Sequence, residues 1–277
     1  MIHFVIPDTQ AGPGVPTDHL RWIGQYLVDQ FAGQQVRVIH LGDHADMHSL
    51  SSYSKKLEAE GERYRDDIDA ANEAFAILNA PLRKYNEIRR QRKEAQWHPD
   101  LHITLGNHED RIDRAKGDDP RLVGTISTDD LNYAKLGWTV HPFLEPVFLD
   151  GIGYSHYWYN PLSGRPYLGM AETRLRNIGH SFTMGHQQQL LYAVRYVAEK
   201  SQHGLIAGAC YLHIEDYKGP QGNAHWRGII VCHEVDGGSY DPMMVSLDYL
   251  SRRYEGRRLT DFLVGIPQVR HRGKEGF

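Results

Sequence analysis

Cysteine is nearly absent. The 277-residue chain carries only Cys210 and Cys232, and they form no short metal-type pair. Cysteine ligation of a metal is thereby set aside, and a reduced, cytoplasmic compartment is the expectation. No apolar run approaches the ~20 residues that span a bilayer, so no membrane partner is expected. A basic excess is also missing: 31 Lys and Arg stand against 35 Asp and Glu, a formal net charge of -4. No global field draws such a chain onto nucleic acid, although a local patch stays open. There is no internal repeat, low-complexity tract or linker, so residues 1–277 read as a single domain. Met1 runs directly into Ile2-His3-Phe4-Val5-Ile6, which reads as a first strand and leaves no room for a signal peptide.

Histidine is abundant, at 17, and several of these residues stand where strands end. His3–Pro7 is a first strand that runs into Asp8-Thr9-Gln10. A Gly- and Pro-rich loop follows over 11–16. Thr17 stands where a cap belongs for a helix to about Phe31, with Leu20, Ile23, Leu27 and Val28 on its apolar face. Val36–Leu41 is a buried strand ending in Gly42-Asp43-His44-Ala45-Asp46. Strand, helix and strand in that order predict a βαβ unit with a parallel pair. Gly42 permits the sharp turn that delivers Asp43 to the mouth of an α/β sheet.

The same design recurs. Leu101–Leu105 ends in Gly106-Asn107-His108-Glu109-Asp110-Arg111. Short strands at 139–140, 147–149 and 152–155, with a hairpin turn at Asp150-Gly151, lead to His156. Ser181–Met184 ends in Gly185-His186-Gln187-Gln188. Residues 205–210, 228–235 and 244–247 continue the strand signal. Between them, 112–135 reads as loops with a short helix.

Residues 52–96 form a charged helical insertion. Tyr64, Ile68, Ala71, Phe75, Leu78, Leu82 and Tyr85 recur at steps of four and three, an apolar stripe near a 3.5 period. The stripe suits a pair of helices laid over the chain's own sheet, broken at Gly61 and Pro81, or else a dimer face; the oligomeric state stays open. Arg89–Lys93 suits a solvated helix end, and a phosphate-backbone contact is the alternative. From Ser251 to Phe277 the chain reads as a basic tail with Arg252, Arg253, Arg257, Arg258, Arg270, Arg272 and Lys274.

Five strands thus end in candidate metal ligands: Asp8 and Gln10, Asp43, Asn107 and His108, His156, and His186 and Gln188. Acids, amides and imidazoles at one sheet edge suit hard or borderline divalent ions. A carboxylate can bridge two of them, and two ions about 3.5–4 Å apart make a clamp for in-line displacement at phosphorus.

These elements, in this order, resemble the calcineurin-like metallophosphoesterase family, whose pattern is D-x-H, G-D-x-x-D, G-N-H-[DE], H and G-H-x-H. The match covers positions 8 to 188. Trp226–Tyr249 further resembles bacteriophage- or bacterium-encoded members. The resemblance implies a four-layer α/β/β/α sandwich of two mixed sheets flanked by helices, and hydrolysis of phosphoesters by a hydroxide held between two divalent ions. Asp43 is similar to the bridging carboxylate and Asp8 to a ligand of the first ion. Asn107, His156 and His186 are similar to ligands of the second. His108 is similar to the acid that protonates the leaving oxygen, and Asp46 to its orienting partner. Arg111 is a candidate phosphate contact or a plain surface residue.

Two positions depart from the family pattern: Gln10 and Gln188 stand where it has histidine. The first site would then be all oxygen, which favours Mn²⁺, with Mg²⁺, Fe²⁺ and Zn²⁺ as the other candidates. A phosphodiesterase is the expected activity. A DNA or RNA nuclease of the same fold and a metal-poor binding scaffold are the alternatives. Nucleotides and nucleic acid are candidate substrates, since Tyr157, Trp158 and Tyr159 offer faces that stack a base or pack as core. His44 and His48 are candidate pocket residues. His213, with Glu215 and Asp216 nearby, reads as a satisfied surface or loop group, with an extra polar cluster as the alternative, and His102 and His233 read as structural.

Overall fold

The computed structural model describes residues 1–51, 61–198, 200–215, 219–265 and 270–271. In chain order it forms β1 (Ile2–Ile6), α1 (Asp18–Phe31), β2 (Val36–His40), α2 (Tyr64–Gln91), β3 (Asp100–Thr104), α3 (Asp110–Asp118), β4 (Thr139–His141), β5 (Val147–Leu149), β6 (Ile152–Tyr154), the small pair β7 (Tyr159–Asn160) and β8 (Arg165–Pro166), and α4 (Ala171–Ile178). Then follow β9 (Phe182–Met184), β10 (Leu190–Val197), β11 (Lys200–Ala207), β12 (Ile214–Glu215), α5 (Gly219–Asn223), β13 (Gly228–Asp236), β14 (Ser239–Ser246), α6 (Leu247–Glu255), α7 (Leu259–Val264) and β15 (Arg270–His271), which pairs with β12.

The architecture is mixed α/β with two mixed sheets. One sheet is ordered β14-β13-β1-β2-β3-β4, with β1 to β4 parallel and β13 and β14 antiparallel at one side. The other is ordered β10-β11-β9-β6-β5, with β6, β9 and β11 parallel. The expected hairpin at Asp150-Gly151 joins β5 to β6, with φ of 48° and 86° at its two central residues.

Strand alternation sorts the core into layers. Phe4, Ile6, Val36 and Val38 point to a cluster shared with α1 and α2. Val5, Ile39 and Leu41 point the other way and meet Leu149, Ile152, Tyr154, Leu205 and Ala207 from the second sheet. Ala171 and Leu175 of α4 pack on Phe182, Met184 and Ile206. The parallel strands are therefore buried on both faces, which is why they read as continuous apolar runs.

The apolar stripe of α2 lies in this core. Ile68, Ala71, Phe75 and Leu78 are buried, and Tyr64, Leu82 and Tyr85 pack on the same cluster. The reading that fits is a helix laid over its own sheet. Among the described residues of the stretch there is one helix, α2, and it runs unbroken through Pro81. Its packing against α1 depends on Gly24, where a Cβ would lie 2.2 Å from the Leu78 carbonyl oxygen and 3.1 Å from the Pro81 ring. Gly24→Ala is therefore expected to lower stability by about 1–3 kcal/mol in urea denaturation, because the two helices must separate. Gly117→Ala on α3, which meets nothing within 4 Å, is the matched control and should be neutral or slightly stabilising. Equal stability of the two variants would refute this account of the helix pair.

Other expectations need correction. Thr17 occupies the cap position of α1 but makes no side-chain cap bond. The predicted strand at 205–210 belongs to β11, which begins at Lys200, and that at 244–247 belongs to β14, which ends as Leu247 opens α6. Residues 251–264 are not a tail. Glu255 of α6 accepts from the indole Nε1 of Trp22 on α1 at 2.7 Å, and Phe262 of α7 packs edge-on against Trp22. Arg272 and Lys274 lie outside the described residues, as do residues 52–60 of the expected insertion. Among the described residues no helix is long and apolar enough to cross a membrane.

Candidate metal centre

The candidate ligands stand just past the C-terminal ends of parallel strands from both sheets. Asp8 and Gln10 follow β1, Asp43 follows β2, Asn107 and His108 follow β3, His156 follows β6, and His186 and Gln188 follow β9. The loops are tight. Gly42 has φ +88°, and Gln10, Asp43, His186 and Gln188 all hold left-handed backbone with φ of 43°, 48°, 67° and 59°. Such residues cost about 1–3 kcal/mol each and persist where surroundings over-determine them, typically at functional sites. The glycines of the motifs leave room for carboxylates. A Cβ on Gly106 would lie 2.1 Å from Asp43 Oδ1, and one on Gly185 would lie 2.3 Å from Asp8 Oδ1.

Asp43, His156 and His186 bring one ligand atom each to within 4.8 Å of one another. His156 Nε2 lies 3.2 Å from Asp43 Oδ2. Asn107 Oδ1 lies 3.0 Å from His156 Nε2 and 2.8 Å from His186 Nδ1. His156 Nδ1 donates to the Leu41 carbonyl at 2.8 Å, which fixes its ring and turns Nε2 toward the cluster. Asp8, fully buried, accepts the His186 backbone N–H at 3.1 Å on each oxygen. The backbone N–H of Gln10 donates to the Asp43 carbonyl at 2.9 Å, and its amide oxygen is buried and makes no hydrogen bond among the described residues. An orphaned, neutral, hard acceptor of this kind is what an oxygen-liganded cation would satisfy.

The electrostatics agree. Burial and the neighbouring Asp43 charge push Asp8 up to about 7. Burial alone would raise Asp43 as well, but His108 and His156 outweigh it and hold Asp43 well below the ordinary carboxylate range. Burial pulls His156 down, yet Asp43 and Asp8 raise it to about 9. Burial, with positive His156 nearby, lowers His186 to about 4. Two buried acids, a buried imidazole and a second, solvent-facing imidazole thus carry opposed shifts at one point of the fold. The donor set of Asp43, Asn107, His156 and His186 fits a divalent ion. Gln188 stands on the same loop as His186. Its amide oxygen accepts from the Tyr211 hydroxyl at 2.8 Å.

Beside the ligands stands an acid–base pair. His108 Nδ1 lies 2.8 Å from Asp46 Oδ1, and its backbone N–H donates to Asp43 Oδ1 at 2.9 Å. Burial lowers the His108 imidazole, but Asp43 and the Asp46 hydrogen bond more than reverse it, and the net shift is upward. Arg111 is no loose surface residue. Its Nη1 donates to the carbonyls of Asp46 at 2.7 Å and Met47 at 3.2 Å, and its Nη2 lies 3.2 Å from His108 Nε2.

Several histidines turn elsewhere. His44 is buried against Thr9 Oγ1 at 2.7 Å and the Ala71 carbonyl at 3.0 Å, so it braces α2 instead of lining a pocket. His48 pairs with Glu62 at 2.6 Å. His213 is buried and stacked on Tyr211 at 4.3 Å, not an exposed loop group; Asp216 lies outside the described residues. The residue that sequence reasoning left without a role is Glu109. Its buried carboxylate accepts the backbone N–H groups of Asp43, His44, Ala45 and Gly106 at 2.7–3.0 Å and the Tyr133 hydroxyl at 3.2 Å. The only signal for it was its place directly after His108. No protein-family model matches this chain, and no curated protein matches it.

Proposed function

We propose that this chain is one metallophosphoesterase domain of the calcineurin-like kind, a four-layer α/β/β/α sandwich that hydrolyses phosphoesters, diesters above monoesters. The observation that carries the reading is the meeting of buried Asp43 and His156 with the more open Asn107 and His186 in one cluster, drawn from the strand ends of both sheets. The His108–Asp46 pair stands directly beside it.

Two divalent ions held by these residues would supply an activated water and offset charge on the phosphate. The chain's own groups do the rest. Asp46 holds the His108 ring through Nδ1, so the Nε2 proton faces the site and passes to the departing oxygen. Arg111 is anchored by two backbone carbonyls through Nη1, and its Nη2, 3.2 Å from His108 Nε2, stands beside the proton donor, where its second N–H can meet a phosphate oxygen. The nuclease alternative has less behind it. Arg90 pairs with Glu87, Arg89 with Glu94 and Arg252 with Asp248, so much of the basic charge is already matched.

The test is hydrolysis of bis-p-nitrophenyl phosphate and p-nitrophenyl phosphate with Mn²⁺, Mg²⁺, Zn²⁺ or chelator, alongside thermal melts. Turnover of the diester should require metal, with Mn²⁺ best because Gln10 contributes a neutral oxygen where an imidazole would favour zinc. Saturating Mn²⁺ should stabilise the fold by about 2.7 kcal/mol at a hundred times its Kd. Gln10→His should shift the preference toward Zn²⁺. No turnover and no metal-dependent stabilisation would leave the binding-scaffold reading standing in place of this one.

A further inference from the structure

A second concavity opens beside the candidate metal centre. It has a volume of about 650 Å³ and is walled by Tyr157, Trp158, Tyr159, Tyr167, Leu144 and His180 among others. That volume lies within the ordinary range of ligand sites. Tyr157 belongs to both places: its ring centroid is 4.7 Å from that of His186 and 5.8 Å from that of His156. Among the described residues, no Asp, Glu, Lys or Arg stands in the wall. A phosphate or a sugar phosphate would find no countercharge there, whereas a neutral planar group would find aromatic faces. Tyr157 and Tyr159 lie tilted with centroids 5.4 Å apart and hydroxyls 3.4 Å apart, and Tyr159 is 37 % exposed. A polar handle is present too. His180 uses Nδ1 on the Ser181 carbonyl at 3.0 Å, which leaves Nε2 for another partner. A simple aryl or alkyl group offers nothing to that nitrogen, while the edge of a nucleobase offers donors and acceptors.

Resting on the phosphoesterase reading above, we propose that this cavity seats the nucleobase of the substrate, which makes the preferred phosphoester a nucleotide derivative. Base stacking on aromatic side chains tolerates any base, so the cavity should discriminate nucleoside from non-nucleoside esters more than one base from another.

The experiment compares two diesters with the same leaving group, thymidine 5′-(p-nitrophenyl phosphate) and methyl p-nitrophenyl phosphate. Wild-type protein should favour the nucleoside ester in kcat/KM by roughly tenfold or more, mostly through KM. Tyr159→Ala should pull the ratio of the two values toward one, and Tyr159→Phe should restore it. A binding arm is independent of turnover: calorimetric titration of adenosine 5′-monophosphate and of ribose 5-phosphate into the chelated protein. The adenine compound should bind at least several-fold more tightly, and Tyr159→Ala should erase the difference. Equal binding of the two by wild type, or a preference that survives Tyr159→Ala, would overturn the proposal. Preference for the adenine compound without hydrolysis of any ester would uphold the cavity assignment and remove the phosphoesterase reading instead.

Discussion

His108→Ala is expected to cut metal-dependent turnover of bis-p-nitrophenyl phosphate by roughly 10²–10⁴-fold, the usual worth of a positioned proton donor. The loss should fall on kcat, because the group acts as the P–O bond breaks and not in ground-state binding. Metal-dependent stabilisation should survive. The backbone N–H of residue 108, which donates to Asp43 Oδ1 at 2.9 Å, is unchanged by the substitution, and the ligand cluster keeps its geometry. Asp46→Asn should cost less, since it removes only the partner that orients the ring and raises it. The two changes act through one group, so the double variant should be little worse than His108→Ala alone. The pH profile adds a signed check. His108 is raised above its ordinary value by Asp43 and Asp46, so the competent protonated form is present below that raised value and is lost as pH climbs through it. The alkaline limb of kcat should therefore vanish in His108→Ala. Retention of kcat within threefold, or loss of metal stabilisation along with activity, would remove His108 from the proton-donor role.

The strand ends were legible because their chemistry is local. A β-branched run that stops at Gly-Asp or Gly-Asn-His carries both the burial signal and the ligand within a few residues, and the structure brings Asp8, Asp43, Asn107, His156 and His186 to one place. What depends on distant partners was not legible. His44 and His48 flank the same motif as Asp43, but α2 takes one and Glu62 the other. Gln188 is tied by Tyr211, which lies in the third of the chain where no motif guided the reading. Strand β10 (LLYAVRYV) has almost no polar alternation because it is an edge strand whose outer half is exposed. Helix α4 is short and polar on most positions, with only Ala171, Arg174 and Leu175 buried. Helix α2 survives Pro81 because of a glycine on another helix, a compensation that no reading of α2 alone would find.

Glu109→Ala should be the most destabilising single change near the site, at about 3–5 kcal/mol in urea denaturation, out of a total that is typically 5–15 kcal/mol. The two carboxylate oxygens accept four backbone N–H groups, from Asp43, His44, Ala45 and Gly106, at 2.7–3.0 Å. Each buried donor left unsatisfied costs about 1–3 kcal/mol. Water entering the vacated space would recover part of the sum, which is why the expected loss is below the simple total. Glu109→Gln should not rescue it. The amide keeps one acceptor oxygen but turns an NH₂ group against backbone N–H donors, so the cost stays above about 2 kcal/mol although size and shape are kept. The milder Tyr133→Phe removes only the hydroxyl that donates to Glu109 at 3.2 Å and should cost about 1 kcal/mol, which keeps the series readable if Glu109→Ala does not fold. The consequence reaches the chemistry. Asp43 sits at φ 48° directly after Gly42 at φ 88°, a turn whose N–H groups have no strand partner and are held by Glu109 instead. Loosening that carboxylate frees the turn that aims Asp43, so Glu109→Gln should weaken Mn²⁺-dependent stabilisation as well as the fold, whereas His108→Ala weakens neither. A Glu109→Gln protein that loses under 1 kcal/mol, or that keeps full metal response, would show that the turn is held by something other than this carboxylate.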